Sequence, residues 1–333
     1  MPTQVTLIGL GRRGASIGLA LRGRSRDLLF VGHDRDPATA KAAQARGAID
    51  RIEWNLPRAC EGADLAVLAM PMPGVREALS AAADTFRPDC VVTSLAPLLA
   101  PPLAWAAERL PANVYFLAGN FAANPEALAD GRDGVEAARP DLFTKGIWAI
   151  APASNCAPAA VKLVTDLAAL LGAAPFFVDA AEHDGLSASV DALPALAAVA
   201  LLRTATLTPG WRERRKLTDR EFAAVTAPAA ADPAGRLAAL ELNRDNVLRC
   251  LDAVLDEMTT LRAAIASGEA DKIERLLTDA GEARARWLVE RLKGDWQSIE
   301  VPAGEMPQAR DFLNSLIGFR RRSSKVVDEA QKK

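Results

Sequence analysis

The residues best placed to do chemistry stand at the start of the chain. Gly9-Leu10-Gly11-Arg12-Arg13-Gly14 is a complete G-x-G-x-x-G. The apolar run Val5-Thr6-Leu7-Ile8 precedes it and a small-residue stretch, Ala15 to Leu21, follows it. A strand, a glycine turn and a helix form the context in which such a motif binds a dinucleotide. Gly9 permits the tight turn, Gly11 lets a pyrophosphate approach the backbone, and Gly14 lets helix and strand pack closely. The N-terminal N–H groups of the helix, with Arg12 and Arg13 among them, then face the phosphates. A second strand, Leu28 to Gly32, ends at His33-Asp34, and Asp34 stands 20 residues after Gly14. That is the spacing of the carboxylate that accepts from the adenine ribose and favours NAD. Arg35 beside it offers a cation for a 2′-phosphate, so NADP stays open.

These residues need a sheet to hold them, and the chain supplies one. Strands are predicted at 63–71, 90–94, 114–118, 147–152 and 175–178. Helices fall between them at 37–46 (N-cap Asp36, stop at Gly47), 75–83, 98–110 and 157–171, with a polar loop at 124–140. The alternation predicts an α/β, Rossmann-like, doubly wound parallel sheet over 1–179. From 180 the pattern turns wholly helical, giving an all-helical dimerisation domain over 180–295 and a tail over 296–333. Pro194 is expected to kink the helix at 180–205. The stripe Leu237, Leu240, Val247, Leu248, Leu251, Val254, Leu255, Met258, Leu261, Ile265 predicts one continuous helix from 234 to 266, followed by another over 271–293. Such a stripe is expected to be buried against a second copy of the chain.

Composition sets outer limits. The chain has 333 residues, half of them hydrophobic, and a formal net charge of −2, which argues against a nucleic-acid footprint. Arg320-Arg321-Arg322 reads as a solvated basic end. Four scattered cysteines and two histidines give no metal-ligand spacing and no disulfide framework. The richest apolar run, 192–202, is too short to span a bilayer, and the expected setting is the cytoplasm.

With these elements placed, the chain resembles the prephenate dehydrogenase family. The resemblance is carried by the glycine loop, His33-Asp34-Arg35-Asp36-Pro37, Ala181-Glu182-His183-Asp184, Leu193-Pro194, Gly210-Trp211-Arg212, and Asp232-Pro233 followed by Asn243-Arg244-Asp245-Asn246-Val247. It implies an NAD(P)-linked oxidative decarboxylation of prephenate or arogenate, in which a His polarises the ring hydroxyl, cations hold the carboxylates, and the enzyme is a homodimer. The chain departs from that pattern at the reacting positions. The family's catalytic His is matched by Asn120, in Ala118-Gly119-Asn120-Phe121. Pro97 stands where a Ser lies near the nicotinamide, with Ser94 as its substitute. The histidines flanking Leu-Pro are Ala192 and Ala195, and a carboxylate-binding Arg is matched by Lys216, with Arg212 nearby. His183 reads either as structural or as a substrate-side group, and the cluster 212–216 either as a solvated face or as an anion clamp. The alternative readings are a non-catalytic cofactor-binding dimer, acting as a sensor or a partner protein, and a dehydrogenase of another small carboxylic acid. A β-hydroxyacid dehydrogenase is disfavoured, because 180–205 lacks the Lys that such enzymes carry.

Overall fold

The computed structural model describes residues 3–22, 28–128, 130–230, 232–294 and 312. They divide into two compact units: 1–180 together with Phe312, and Ala181–Asp295. The expected tail, with Arg320-Arg321-Arg322, lies outside the described residues apart from Phe312.

In the first unit the chain runs β1 (Thr3–Ile8), α1 (Arg12–Arg22), β2 (Leu28–His33), α2 (Pro37–Ala45), β3 (Arg51–Ile52), α3 (Leu56–Cys60), β4 (Leu65–Leu68), α4 (Met72–Ala82), β5 (Val91–Ser94), α5 (Ala100–Arg109), β6 (Tyr115–Ala122), β7 (Gly146–Pro152), α6 (Pro158–Leu170) and β8 (Ala173–Phe177). One sheet results, in the order β3-β2-β1-β4-β5-β6-β7-β8. β1, β4 and β5 are buried along their whole lengths, because helices cover both faces. Asp36 caps α2 as its residue type predicts, accepting from the N–H groups of Ala38 and Thr39. Those bonds, led by the one from the Thr39 hydroxyl, lower the pKa of its carboxyl.

The sheet is parallel from β3 to β6, and β7 to β8 is parallel again, but β7 runs antiparallel to β6. An all-parallel sheet therefore does not form. A parallel return needs a crossover to the opposite edge of the sheet. The segment between β6 and β7 carries only short 3₁₀ turns, Pro125–Ala127 and Val135–Ala137. It stays at the edge where β6 ends and is tied to the first two helices. The Arg46 guanidinium donates to the Ala138 carbonyl at 2.7 Å, and the Arg139 N–H donates to Ser16 Oγ at 2.9 Å. Pairing with β7 also extends β6 past the predicted strand, out to Ala122.

Beneath this edge, Trp148, Phe143, Phe121 and Leu117 join the central core. The Phe121 and Phe143 rings lie 4.3 Å apart. Phe312, fully buried, belongs to the same cluster.

The second unit is helical: α7 (Ala180–Ser187), α8 (Leu193–Leu207), α9 (Trp211–Arg214), α10 (Arg220–Thr226), α11 (Pro233–Leu242), α12 (Arg244–Ser267) and α13 (Ala270–Lys293). A π turn, Ala188–Ala192, joins α7 to α8. It accommodates Pro194, whose missing N–H and ring would strain an ordinary α turn. The combined run Ala180–Leu207 has a mean hydropathy of 1.7 over its most apolar window, long and apolar enough by length and composition to cross a membrane. Counting only 192–202 underestimates it, because the helix continues through the charged residues near its start.

The predicted continuous helix 234–266 is broken at Asn243, the place where the apolar stripe skips from Leu240 to Val247. Asn243 has φ −124° and ψ 26° and is buried. Its amide donates to the Asp184 carbonyl at 2.7 Å, and its oxygen accepts from Asn246 at 2.7 Å. Asn243→Ala is expected to cost about 1–3 kcal/mol, the price of leaving buried polar groups unpaired. Denaturant unfolding will show this, with Asn246→Leu costing less because that side chain is less buried.

Candidate active site

The site is built on the C-terminal edge of β1, β2, β4 and β5. β1 lies between β2 and β4, so the chain reverses its winding direction at the β1/β4 crevice. That reversal is where doubly wound sheets bind ligands. Gly9 turns out of β1 with φ +87°, and its N–H donates to the His33 carbonyl at 2.9 Å. A Cβ on Gly9 would lie 2.5 Å from the Ala69 carbonyl oxygen at the end of β4. A Cβ on Gly14 would lie 1.9 Å from the Gly9 oxygen, so helix and turn touch through bare backbone. A Cβ on Gly11 would meet nothing within 4 Å. Two glycines are thus demanded by the protein itself. The third opens onto space at the start of α1, where first-turn N–H groups have no intrahelical acceptor. This cradle fits a pyrophosphate.

Asp34 sits half-buried at the end of β2. One carboxylate oxygen accepts the Leu10 N–H at 2.7 Å and the other the Asp36 N–H at 2.9 Å. It therefore ties the glycine loop to the adenosine end. Arg35 is exposed and ion-paired with Glu77 on α4.

The two loop arginines do not point their side chains together at a phosphate. Arg12 donates to the carbonyls of Asp130 (3.2 Å) and Arg132 (2.8 Å) and pairs with the Asp130 carboxylate at 3.3 Å. Its Nε is buried without a partner. Asp130, gripped first by Arg132 and also by Arg12, has its pKa pulled down to about 2. Arg13 reaches along the edge to donate to the Leu95 carbonyl at 3.3 Å, beyond β5. Their backbone amides remain in the first turn of α1.

Asn120 lies within β6, not after it, opposite Ala149 of β7. Its Nδ2 donates to the Pro97 carbonyl at 3.5 Å and its Oδ1 accepts the Phe121 N–H at 2.7 Å. Asn120, Pro97 and Arg13 thus converge on the 95–97 segment that follows β5. Ser94 is fully buried, and its hydroxyl accepts the Gly119 N–H at 3.3 Å. As a substitute for a substrate-facing Ser it is wrongly placed; it is a sheet bond that fixes the approach to Asn120. Sequence reasoning missed Gly119, where a Cβ would lie 2.4 Å from Trp148 Nε1 and 2.6 Å from the Ser94 oxygen. The Gly-Asn juxtaposition was visible, but the Trp beneath it was not.

In the helical unit His183 is buried, its Nδ1 3.0 Å from Asp184 Oδ1. Asp184 is in turn held through its carbonyl by Asn243. Arg212 is exposed on the four-residue α9, and Lys216 is exposed and bound to Glu213 at 2.5 Å. Within this unit His183 and the 212–216 cluster are separate features, the one buried and the other solvated. No group of three or more His, Cys, Asp or Glu that could hold a metal occurs among the described residues.

Residues 17–176 match the sequence pattern of the prephenate dehydrogenase nucleotide-binding domain, and residues 179–279 that of the prephenate dehydrogenase dimerization domain. The chain belongs to the prephenate dehydrogenase family. The nucleotide-binding match begins downstream of the glycine loop, so the loop geometry is independent support for a bound NAD(P). Prephenate dehydrogenase of Bacillus subtilis is 23% identical over 288 residues, covering 85% of this chain and 76% of its own length. A probable prephenate dehydrogenase, NovF of Streptomyces niveus, is 29% identical over 267 residues, 75% and 69% of the two chains. The crystal structure of prephenate dehydrogenase from A. aeolicus, in complex with hydroxyphenyl propionate and NAD+, shares the fold. It superposes with a TM-score of 0.76 at 20% identity, over 86% of this chain and 98% of that one. The protein is an NAD(P)-binding oxidoreductase of the prephenate dehydrogenase type, and its helical unit corresponds to the family's dimerization domain.

Proposed function

We propose that the protein oxidises a cyclohexadienyl carboxylate such as prephenate or arogenate, at a substrate site in which an amide replaces the family's base. The observation that carries this reading is the place of Asn120. It stands at the sheet edge beside the 95–97 segment, on the strand that follows the nicotinamide side of the crevice. The cofactor, when bound, accepts a hydride. Gly9, Gly11 and the start of α1 would hold its pyrophosphate, and Asp34 would accept from the adenine ribose. Asn120 orients a substrate hydroxyl through its amide. It cannot take the proton at neutral pH, so the hydroxyl proton passes to solvent as the hydride leaves, the ring carboxylate departs as CO2 with its bonding pair left to the ring, and the phenolate so formed is reprotonated from solvent. Loss of a positioned base typically costs about 10²–10⁴-fold, and turnover is accordingly slow.

A homodimer suits the helical unit. Leu248, Leu255, Met258 and Ile265 of α12 are 51–66% exposed, a contiguous apolar stripe that a second copy would cover. Burial in such a dimer would account for the apolar run Ala180–Leu207 without lipid and suits a cytoplasmic enzyme. A second reading is a cofactor-binding dimer without turnover. It is favoured by the buried Ser94 and by Lys216 being bound to Glu213. Formation of reduced nicotinamide with prephenate or arogenate separates the two. Steady turnover above a heat-inactivated control supports the enzyme, and tight NAD binding with none supports the silent dimer.

A further inference from the structure

We propose that Glu77 sets the choice of NAD over NADP by holding Arg35 away from the ribose 2′ position. The inference rests on the dinucleotide reading of the glycine loop and deepens it. A 2′-phosphate is ordinarily received by an arginine close to the end of the second strand. Arg35 is that arginine by position: it follows Asp34 directly, and its side chain is 79% exposed. Its guanidinium, however, is engaged by a carboxylate from another element. Glu77 projects from α4, the helix that follows β4, and closes on Arg35 across the adenosine end of the crevice.

The surrounding charge points the same way. Asp34 and Asp36 flank Arg35 in sequence, and Asp36 is held ionised as the cap of α2. Three carboxylates and one guanidinium therefore share this corner. The ribose of NAD brings only hydroxyls, which Asp34 can accept from, and leaves the Arg35–Glu77 pair intact. A 2′-phosphate brings a dianion. To bind it, Arg35 must leave Glu77, and Glu77 then stands beside the phosphate as a like charge. Glu77 acts twice, once by occupying the cation and once by repulsion. The partner the structure gives Glu77 is Arg35, at the ribose end of the crevice.

The test is calorimetric titration of NAD+ and NADP+ into the wild-type protein, Glu77→Gln, and Glu77→Gln combined with Arg35→Gln. Wild type is expected to prefer NAD+. Glu77→Gln is expected to tighten NADP+ about five- to tenfold, the size of one removed like charge near a solvated dianion, with the gain shrinking at high salt. NAD+ affinity is expected to stay within about twofold, because no hydroxyl contact is lost. The double variant is expected to keep only the part of the gain that comes from the removed repulsion, and the part it loses measures what the released Arg35 contributes. Unchanged NADP+ affinity in Glu77→Gln while NAD+ still binds overturns the proposal, and so does an equal gain for both cofactors. A wild-type protein that binds neither cofactor fails earlier, at the dinucleotide reading itself, before any variant is compared.

Discussion

Gly11→Ala keeps its melting temperature and loses its cofactor. That is the expected result, and it depends on the contrast between two glycines of one loop. At Gly11 a methyl group meets no protein atom, and no positive φ is required. The folded chain should tolerate it, with a small gain from the stiffer unfolded state. The methyl would instead occupy the space through which a pyrophosphate reaches the backbone amides. Loss of one or two charge-assisted bonds is worth roughly 1.5–3 kcal/mol, or about 10- to 100-fold in NAD affinity. Gly14→Ala should behave in the opposite way. Its methyl would sit 1.9 Å from the Gly9 oxygen, a backbone atom that cannot swing aside. α1 would have to move off the turn, at a cost of about 3 kcal/mol or more. A thermal melt and an NAD titration on each variant separate the two roles. Wild-type NAD affinity in Gly11→Ala would remove the pyrophosphate from this loop.

The second large effect concerns Asn120. Asn120→His is expected to raise turnover of prephenate by about 10²-fold or more, the usual contribution of a positioned base. The variant should also acquire a pH dependence the parent lacks. Its rate should climb as the new imidazole loses its proton, near the ordinary histidine value of about 6.5. The sign follows from the role: a base works in its neutral form, so activity rises with pH and is lost below the pKa. β6 is pinned on both sides, by β7 and by the Ser94–Gly119 bond, so the new ring enters a fixed backbone. Asn120→Ala serves as control, and is expected to lower the parent rate only severalfold. Equal rates in Asn120→His and the parent, with NAD still bound, would mean that hydride transfer takes place elsewhere or on another substrate.

Much of the nucleotide-binding unit could be read from the residues, because its signals are local. A glycine turn between strand and helix, an Asp at a fixed spacing, and a Pro after an N-cap each declare themselves within a few positions. What was missed is set by distant partners. The reversal of β7 follows from where the 123–145 segment lies, and nothing within β7 announces its direction. Arg12 looks like a phosphate ligand until its partners, Asp130 and Arg132, are found more than a hundred residues away. Ser94 looks available until the strand bearing Gly119 covers it. Asn243 sits in an apolar stripe and breaks it, because a buried amide bonded to Asp184 outweighs helical continuity. The turn geometry of the glycine loop and the place of Asp34 at the end of β2 were therefore legible in sequence, whereas the surroundings of Asn120 became clear only once the strands were placed side by side.

Phe312 has a consequence for how the protein is made. Its ring is fully buried in the core of the nucleotide-binding unit, although the entire helical unit precedes it in sequence. A ribosome delivers the chain from its N-terminus. The sheet is thus complete in sequence long before this piece of its core has been synthesised. Until that residue emerges, the nascent unit carries a hole the size of a phenyl ring, worth about 3–5 kcal/mol of missing stability. Translation that stops short of this point would release a chain whose nucleotide-binding unit has an unfilled core and is open to proteolysis.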